Sequence, residues 1–343
     1  MKRHILPALA LCAGMLFNAL PVSASYASAD EIAFSVRPHD VRNDPRDVVN
    51  TVRISPRAAQ RGYQFQNSIY LEAERAELTI IGMKLKADTD ALTFVPESLV
   101  PANQEVYKDG LSLTTPDGTK FTTNYKPYCL GEISSNGTYR PNCFMFTVNP
   151  NADNPVSSDG SLNVLWSQGT GKVTAFLGGK SDAYSFLDFD MALAKNAPAG
   201  TYHVDFLSTE DAKEAEYERL TYLVTNDAES PEDLDYHNLV PTLKGLTVIV
   251  GALQGELGDV NADGSINAED SSLVLIYTSA LGANGFAYFQ HDVDSEEEAA
   301  IYDLAEITGD NIVDASDASA ILQYAAAHGA GADVSWDDIV PLA

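Results

Sequence analysis

Between residues 259 and 270 the chain reads DVNADGSINAED, a run in which oxygen-bearing side chains alternate with small or apolar ones. Numbered from Asp259, it places Asp259, Asn261 and Asp263 at positions 1, 3 and 5, Gly264 at 6, Ser265 at 7, Asn267 at 9 and Asp270 at 12. Calcium is a hard cation that takes about six to eight oxygens, and a loop of this length and pattern can gather them round one ion. Asp259, Asp263 and Asp270 would bring charge, Asn261 a neutral oxygen, Ser265 its backbone carbonyl and Asn267 a bridging water. Gly264 stands where the chain must turn sharply, a position that favours positive φ. Ile266, at position 8, is the apolar residue that pins the loop to a neighbour.

A loop of this kind needs a helix to hold it. SSLVLIYTSAL follows directly, but no amphipathic helix precedes, since residues 248–256 read as a strand and a short link. The last position is Asp270, where the EF-hand pattern has Glu. Half an EF-hand should come paired, and the chain holds the second half. From Glu306 it reads EITGDNIVDASDASAILQYAAA. Aligning Asp317 with Asp270 makes Asp263/Asp310, Ala268/Ala315, Ser272/Ser319, Leu275/Leu322, Tyr277/Tyr324 and Ala280/Ala327 coincide. The second loop would offer Glu306, Thr308, Asp310, the carbonyl of Ile312, Asp314 and Asp317. Glu306 and Thr308 depart from the usual residues, and Asn311 replaces glycine, although Asn tolerates the left-handed region better than most residues. A weaker second calcium site is therefore expected. Asp-rich turns capped by their own side chains are common, but two such loops, each leading into a matching apolar helix, are better explained by duplication.

A duplicated calcium loop and helix near the end of a chain with an export signal resembles the dockerin module of cellulosomes. The resemblance implies a cohesin as partner and contacts at Ala268, Glu269, Leu275, Ile276 and Ala280 in the first repeat. In the second it implies Ala315, Ser316, Leu322, Gln323 and Ala327. Glu269 corresponds to Ser316 and Ile276 to Gln323, so a partner could tell the two faces apart and one docking orientation should dominate. Leu275 and Leu322 fit equally well as contacts or as core between the helices.

Residues 1–29 carry Lys2 and Arg3, an apolar run over 5–20 and small-residue cleavage sites at Ala27-Ser28-Ala29 or Val22-Ser23-Ala24, the pattern of an export signal. That run is too short for a stable membrane span, so a secreted, extracellular protein is expected. The formal net charge is −28, and no Lys or Arg follows Lys244. That excludes nucleic acid as a partner, because phosphate binding needs a basic face, and favours calcium and basic protein surfaces. Cys129 and Cys143 flank a Ser-Asn-Gly-Thr hairpin signal. A two-residue turn would oppose Cys129 to Phe144 and a three-residue loop to Cys143, so a disulfide depends on register.

Residues 30–253 read as β-structure, joined by a short link at 254–257 to the repeats at 258–343. Candidate strands are 32–36, 68–72, 77–87, 92–95, 120–125, 144–148, 161–166, 172–177, 184–191, 201–207, 220–225 and 245–250, several with clean alternation. Ile81, Met83, Leu85 and Ala87 face one way, and Tyr202, Val204 and Phe206 lie opposite His203 and Asp205. Period-two runs between turns mark a sandwich or jelly roll. Only residues 211–218 look helical there.

ALAKNAPAGTYHVDFL (192–207) resembles the cohesin segment in which an Ala-Pro-Ala-Gly-Thr-Tyr turn enters a late strand. SLNVLWSQGTG (161–171) and GLTVIVG (245–251) resemble the strands flanking it. The overall expectation is a mainly β chain, a cohesin-like β-sandwich followed by a small α-helical dockerin with two calcium loop–helix repeats. A cohesin and a dockerin in one chain imply a non-catalytic adaptor scaffoldin of a cellulosome, anchored to a larger scaffold and recruiting a dockerin-bearing enzyme. The alternative is a dockerin-borne polysaccharide-degrading enzyme or carbohydrate-binding protein. No carboxylate pair, HExxH or Ser/His/Asp order stands out, and Trp166 is the only Trp before the repeats. His39, His203 and His237 show no ligand spacing.

Overall fold

The computed structural model describes residues 33–39, 49–72, 80–101, 106–114, 120–125, 131–133, 139–141, 146–148, 156–167, 184–207, 222–226, 236–239, 241–290 and 295–341. The leader, both cysteines, the strand expected at 172–177 and the helix expected at 211–218 lie outside these residues.

Strands come first in the chain: β1 (Ala33–Pro38), β2 (Thr51–Ile54), β3 (Tyr63–Glu72), β4 (Ile80–Ala87), β5 (Leu92–Pro101), β6 (Val106–Thr114), β7 (Lys120–Tyr125), β8 (Gly131–Ile133), β9 (Tyr139–Pro141) and β10 (Phe146–Val148). They continue as β11 (Leu162–Ser167), β12 (Tyr184–Leu193), β13 (Gly200–Phe206), β14 (Tyr222–Asn226), β15 (Tyr236–Leu239), β16 (Thr242–Lys244) and β17 (Leu246–Val250). Among the described residues five helices accompany them: α1 (Pro56–Arg61), α2 (Ala268–Asn284), α3 (Ser295–Ala305), α4 (Ala315–Gly329) and α5 (Trp336–Ile339).

Among the described residues the strands form two mixed sheets and two separate two-stranded pairs, β6–β7 and β8–β9. One mixed sheet runs β16-β1-β3-β12-β5; the other runs β10-β11-β4-β13-β17-β2, with β14 also on β4 and β15 beyond it. Parallel pairs β1–β16 and β2–β17 tie the start of the domain to its end. Alternation dictates which side chains meet between the sheets. Phe34 and Val36 from β1, Phe65 and Ile69 from β3, and Phe189 and Met191 from β12 bury opposite Met83 and Leu85, Val164, Val204 and Val248. On β13, Val204 and Phe206 are buried while His203 and Asp205 are exposed, as the alternation requires. β8 and β9 pair with Ile133 opposite Tyr139, the hairpin expected around Asn136-Gly137.

Helix α1 was not expected among the strands. Its signal is short but physical: Ser55 caps the first turn, its side chain accepting from Ala58 N, and Pro56 supplies a preset φ at the first helical position. A second core holds the C-terminal part together, with Val274, Tyr277, Tyr302, Ile307, Val313 and Ile321 buried in it. Two helices went unread there as well, α3 ahead of the second loop and α5 after it. The second repeat is thus a helix–loop–helix, whereas the first has a helix on one side only.

Candidate functional site

The two loops close by the same rule. Asn267 caps α2 by accepting from Glu269 N, and Asp270, three residues on, accepts from Asn267 N at 2.9 Å. Asp314 and Asp317 repeat this at α4, with bonds from Ser316 N and Asp314 N. Positions 9 and 12 of each loop are therefore also the two halves of a capping box. The other oxygen of Asp270 accepts from Val260 N and Asn261 N at 2.8 and 3.2 Å; that of Asp317 accepts from Ile307 N and Thr308 N at 2.8 and 3.0 Å. Both carboxylates are fully buried, where groups of this kind must be hydrogen-bonded.

Loop 1 opens to solvent. Asp263, Gly264 and Ser265 are exposed, and a Cβ added at Gly264, whose φ is +84°, would meet nothing within 4 Å. Asp259 takes Asp263 N at 3.1 Å and Gly264 N at 2.9 Å. Asp263 accepts from Ser265 N and from Asn261 Nδ2, and the carbonyl of Ser265 accepts from Asn267 Nδ2. The donor chemistry fits an oxygen-preferring divalent cation: three carboxylates, an amide oxygen and a backbone carbonyl on one turn. Among the described residues no three His, Cys, Asp or Glu side chains are gathered at metal-holding distance.

Loop 2 faces the β domain. Glu306 is fully buried and accepts from Gly309 N at 2.5 Å, Asp310 N at 3.0 Å and the hydroxyls of Thr308 and Ser55. Asn311, at φ 65°, turns its amide outward to Ser55 N at 2.8 Å and Arg53 O at 2.9 Å. Arg57 of α1 donates to Ile307 O at 3.1 Å and Val340 O at 3.2 Å, and pairs with Asp337 at 2.8 Å. Arg61 reaches Thr308 O at 3.4 Å. Burial drives the Glu306 carboxyl up to about 7, outweighing the Ser55 hydrogen bond, and the Asp317 carboxyl up to about 6. Asp310 accepts from Ile312 N, and the Ile312 side chain is exposed.

The helices after the loops pack through Ser271, whose hydroxyl donates to Ala318 O at 2.8 Å. Val274 and Ile321, at matching positions, are both buried. The matching tyrosines find different lids: Tyr277 stacks on Phe289 at 4.4 Å, Tyr324 on Trp336 at 4.2 Å. Outside this contact, Leu275 is 46 % exposed, Leu322 50 % and Ile276 65 %. That decides the reading left open for Leu275 and Leu322: they lie on the surface. Ala268, Glu269, Ala315, Ser316 and Gln323 are exposed beside them, and Ala280 and Ala327 are half-buried.

One grouping was invisible in the sequence. His39 Nε2 lies 2.5 Å from Ser68 Oγ, which lies 2.5 Å from Asp188 Oδ1. Nucleophile activation needs the hydroxyl to donate to the imidazole and the carboxylate to stand behind that ring. Here the buried hydroxyl donates to the carboxylate, and the other ring nitrogen meets Gln66 at 2.8 Å. It is a polar tie across β1, β3 and β12 with the wrong order for acyl transfer. Among the described residues no helix is long and apolar enough to cross a membrane.

No protein-family model matches the chain, and no curated protein matches it. Solved structures similar to it are cohesin modules. The seventh ScaB type I cohesin from Pseudobacteroides cellulosolvens matches at 7 % identity, covering 64 % of this chain and 92 % of its own, with a TM-score of 0.32. A type III cohesin from the ScaE cell-surface anchoring scaffoldin of Ruminococcus flavefaciens matches at 11 %, covering 66 % and 90 %, with a TM-score of 0.30. A type I cohesin–dockerin complex from Clostridium thermocellum matches at 12 %, covering 64 % and 99 %, also at 0.30.

Proposed function

We propose that the chain is a non-catalytic, secreted adaptor of a cellulosome. Its C-terminal loop–helix pair is a dockerin that plugs into a cohesin on a larger scaffold, and its β-sandwich is a cohesin-like receiver for the dockerin of a polysaccharide-degrading enzyme. The observation that carries this reading is the exposure of Leu275, Ile276 and Leu322 on paired helices whose first turns are fixed by capped loops. Exposed apolar side chains grouped on a rigid element are what a protein partner covers. Calcium in loop 1 would order the start of α2 before docking, so that the partner meets a preformed face. Ile276 against Gln323 and Glu269 against Ser316 make the two helix faces unequal, which favours one docking orientation.

The test uses the intact secreted chain as bait against two panels, cohesin modules of scaffold proteins and dockerin-bearing enzymes, with calcium and with excess chelator. Capture from both panels, lost in chelator, is the expected result. Capture of cohesins alone would make the β-sandwich a cargo domain. Capture of neither would overturn the reading.

A further inference from the structure

We infer that loop 2 takes no calcium and is instead a clasp that locks the helical module onto the β domain. The inference concerns how the two modules are joined and does not depend on what either one binds. Its first ground is position 1. In loop 1 the position-1 carboxylate, Asp259, is engaged only by N–H groups of its own loop among the bonds seen. In loop 2 the longer Glu306 has one oxygen taken by three donors of the loop and the other by the Ser55 hydroxyl from the β domain. Both of its oxygens are engaged, and one of them is held from outside the loop, by the β domain.

The second ground is position 6. Loop 1 has Gly264 there, with open space beyond it. Loop 2 has Asn311, whose buried amide both donates to Arg53 O and accepts from Ser55 N. A residue that keeps the left-handed turn of a calcium loop while spending its side chain on another domain marks a change of use. The third ground is charge. The guanidinium groups of Arg57 and Arg61 donate to the carbonyls of Ile307 and Thr308, which flank Glu306 on its C-terminal side. A divalent cation beside them would meet like charge at short range. Loop 2 keeps Asp310, Asp314 and Asp317, so carboxylates are not scarce; what is missing is an available first ligand.

The link between the modules is drawn in too. A Cβ added on Gly255 would lie 3.3 Å from Leu304 Cδ1, and one on Gly251, just ahead of the link, 1.9 Å from Asp303 Oδ2. Clasp and link therefore act from two sides.

The experiment pairs calcium stoichiometry with hydrogen exchange on the full chain, using calcium chloride as the probe. Wild type should bind one equivalent, and Glu306→Gln should leave that number unchanged. Two equivalents in wild type, or loss of one in Glu306→Gln, would overturn the inference. Zero equivalents would bear it out and overturn the calcium assignment of loop 1 instead. Asn311→Gly suits the positive φ and should fold, which circular dichroism checks. It should speed exchange of the Ser55 amide by at least about tenfold, since a hydrogen bond of this class contributes about that factor. The acceleration should be the same with calcium and with chelator. Unchanged exchange at Ser55, or acceleration seen in chelator alone, would overturn the clasp.

Discussion

Loop 1 and loop 2 hang on the same scaffold, with Asp270 and Asp317 each gathering three backbone N–H groups, but one turns its open side to solvent and the other onto α1. The difference lies in two side chains. Asp259 and Gly264 leave loop 1 free to take an ion, while Glu306 and Asn311 at the same positions engage Ser55 and Arg53. Closing a loop and filling it are thus separable tasks: the capping residues do the first, and positions 1 and 6 decide the second.

The largest effect should come from the shared part. Asp270→Ala and Asp317→Ala each strand three N–H groups, one buried and two part-buried, and in chelator each should lower stability by about 3 kcal/mol, since hydrogen bonds to charged acceptors contribute roughly 1.5–3 kcal/mol apiece without full additivity. With calcium added, urea unfolding should separate the two, Asp270→Ala losing the ion's contribution as well. Equal losses under both conditions would erase the distinction between the loops.

Next comes pH. The Glu306 carboxyl, raised from 4.5 to about 7 when folded, holds its proton more tightly in the native state than in the unfolded one. The stability it contributes is fully present below about pH 4.5 and is lost as the pH rises through about 7. Asp317, raised from 3.8 to about 6, acts in the same direction. In chelator Glu306 alone should lower the unfolding free energy by on the order of 3 kcal/mol across that window, and Glu306→Gln should remove that part of the fall. A stability that rises from pH 5 to 7 in chelator, unaltered in Glu306→Gln, would contradict the burial of this group.

Arg57→Ala removes the donor to Ile307 and Val340 and should cost about 2 kcal/mol. Calorimetry should then show the single unfolding transition splitting in two. On stability the outer face should matter least, and its effect is read in docking instead. Ile276→Asp should weaken docking by about 2 kcal/mol or more, as expected of a central apolar contact, and Gln323→Asp by under about 0.5 kcal/mol. Equal losses, read by calorimetry against the captured cohesin, would favour two interchangeable orientations.

Legibility followed the range of the forces involved. Local rules were readable: the positive φ at Gly264 and Asn311 and the alternation on β13 are set by neighbours in the chain, whereas the caps at Asn267 and Asp314, equally local, read in the sequence as ion ligands alone. The surface placement of Leu275 and Leu322 needed the helix pairing, because an apolar residue on a short helix fits core or interface alike. Least readable was the meeting of Ser55 with Glu306, some 250 positions apart. Ser55-Pro56 announces a helix start, yet nothing local says what its exposed end will touch.

Asn311 also does something for the sheet. Among the described residues β2 ends the row of strands, paired with β17 on one side, and Arg53 O and Ser55 N are the groups its other side would offer to an incoming strand. Unpaired borders of this kind recruit foreign strands and seed aggregation. The amide of Asn311 occupies both groups at once, like a one-residue strand. A β domain cut after Val250 therefore loses more than its neighbour: it gains a sticky border, and the helical module serves as its built-in guard against self-association.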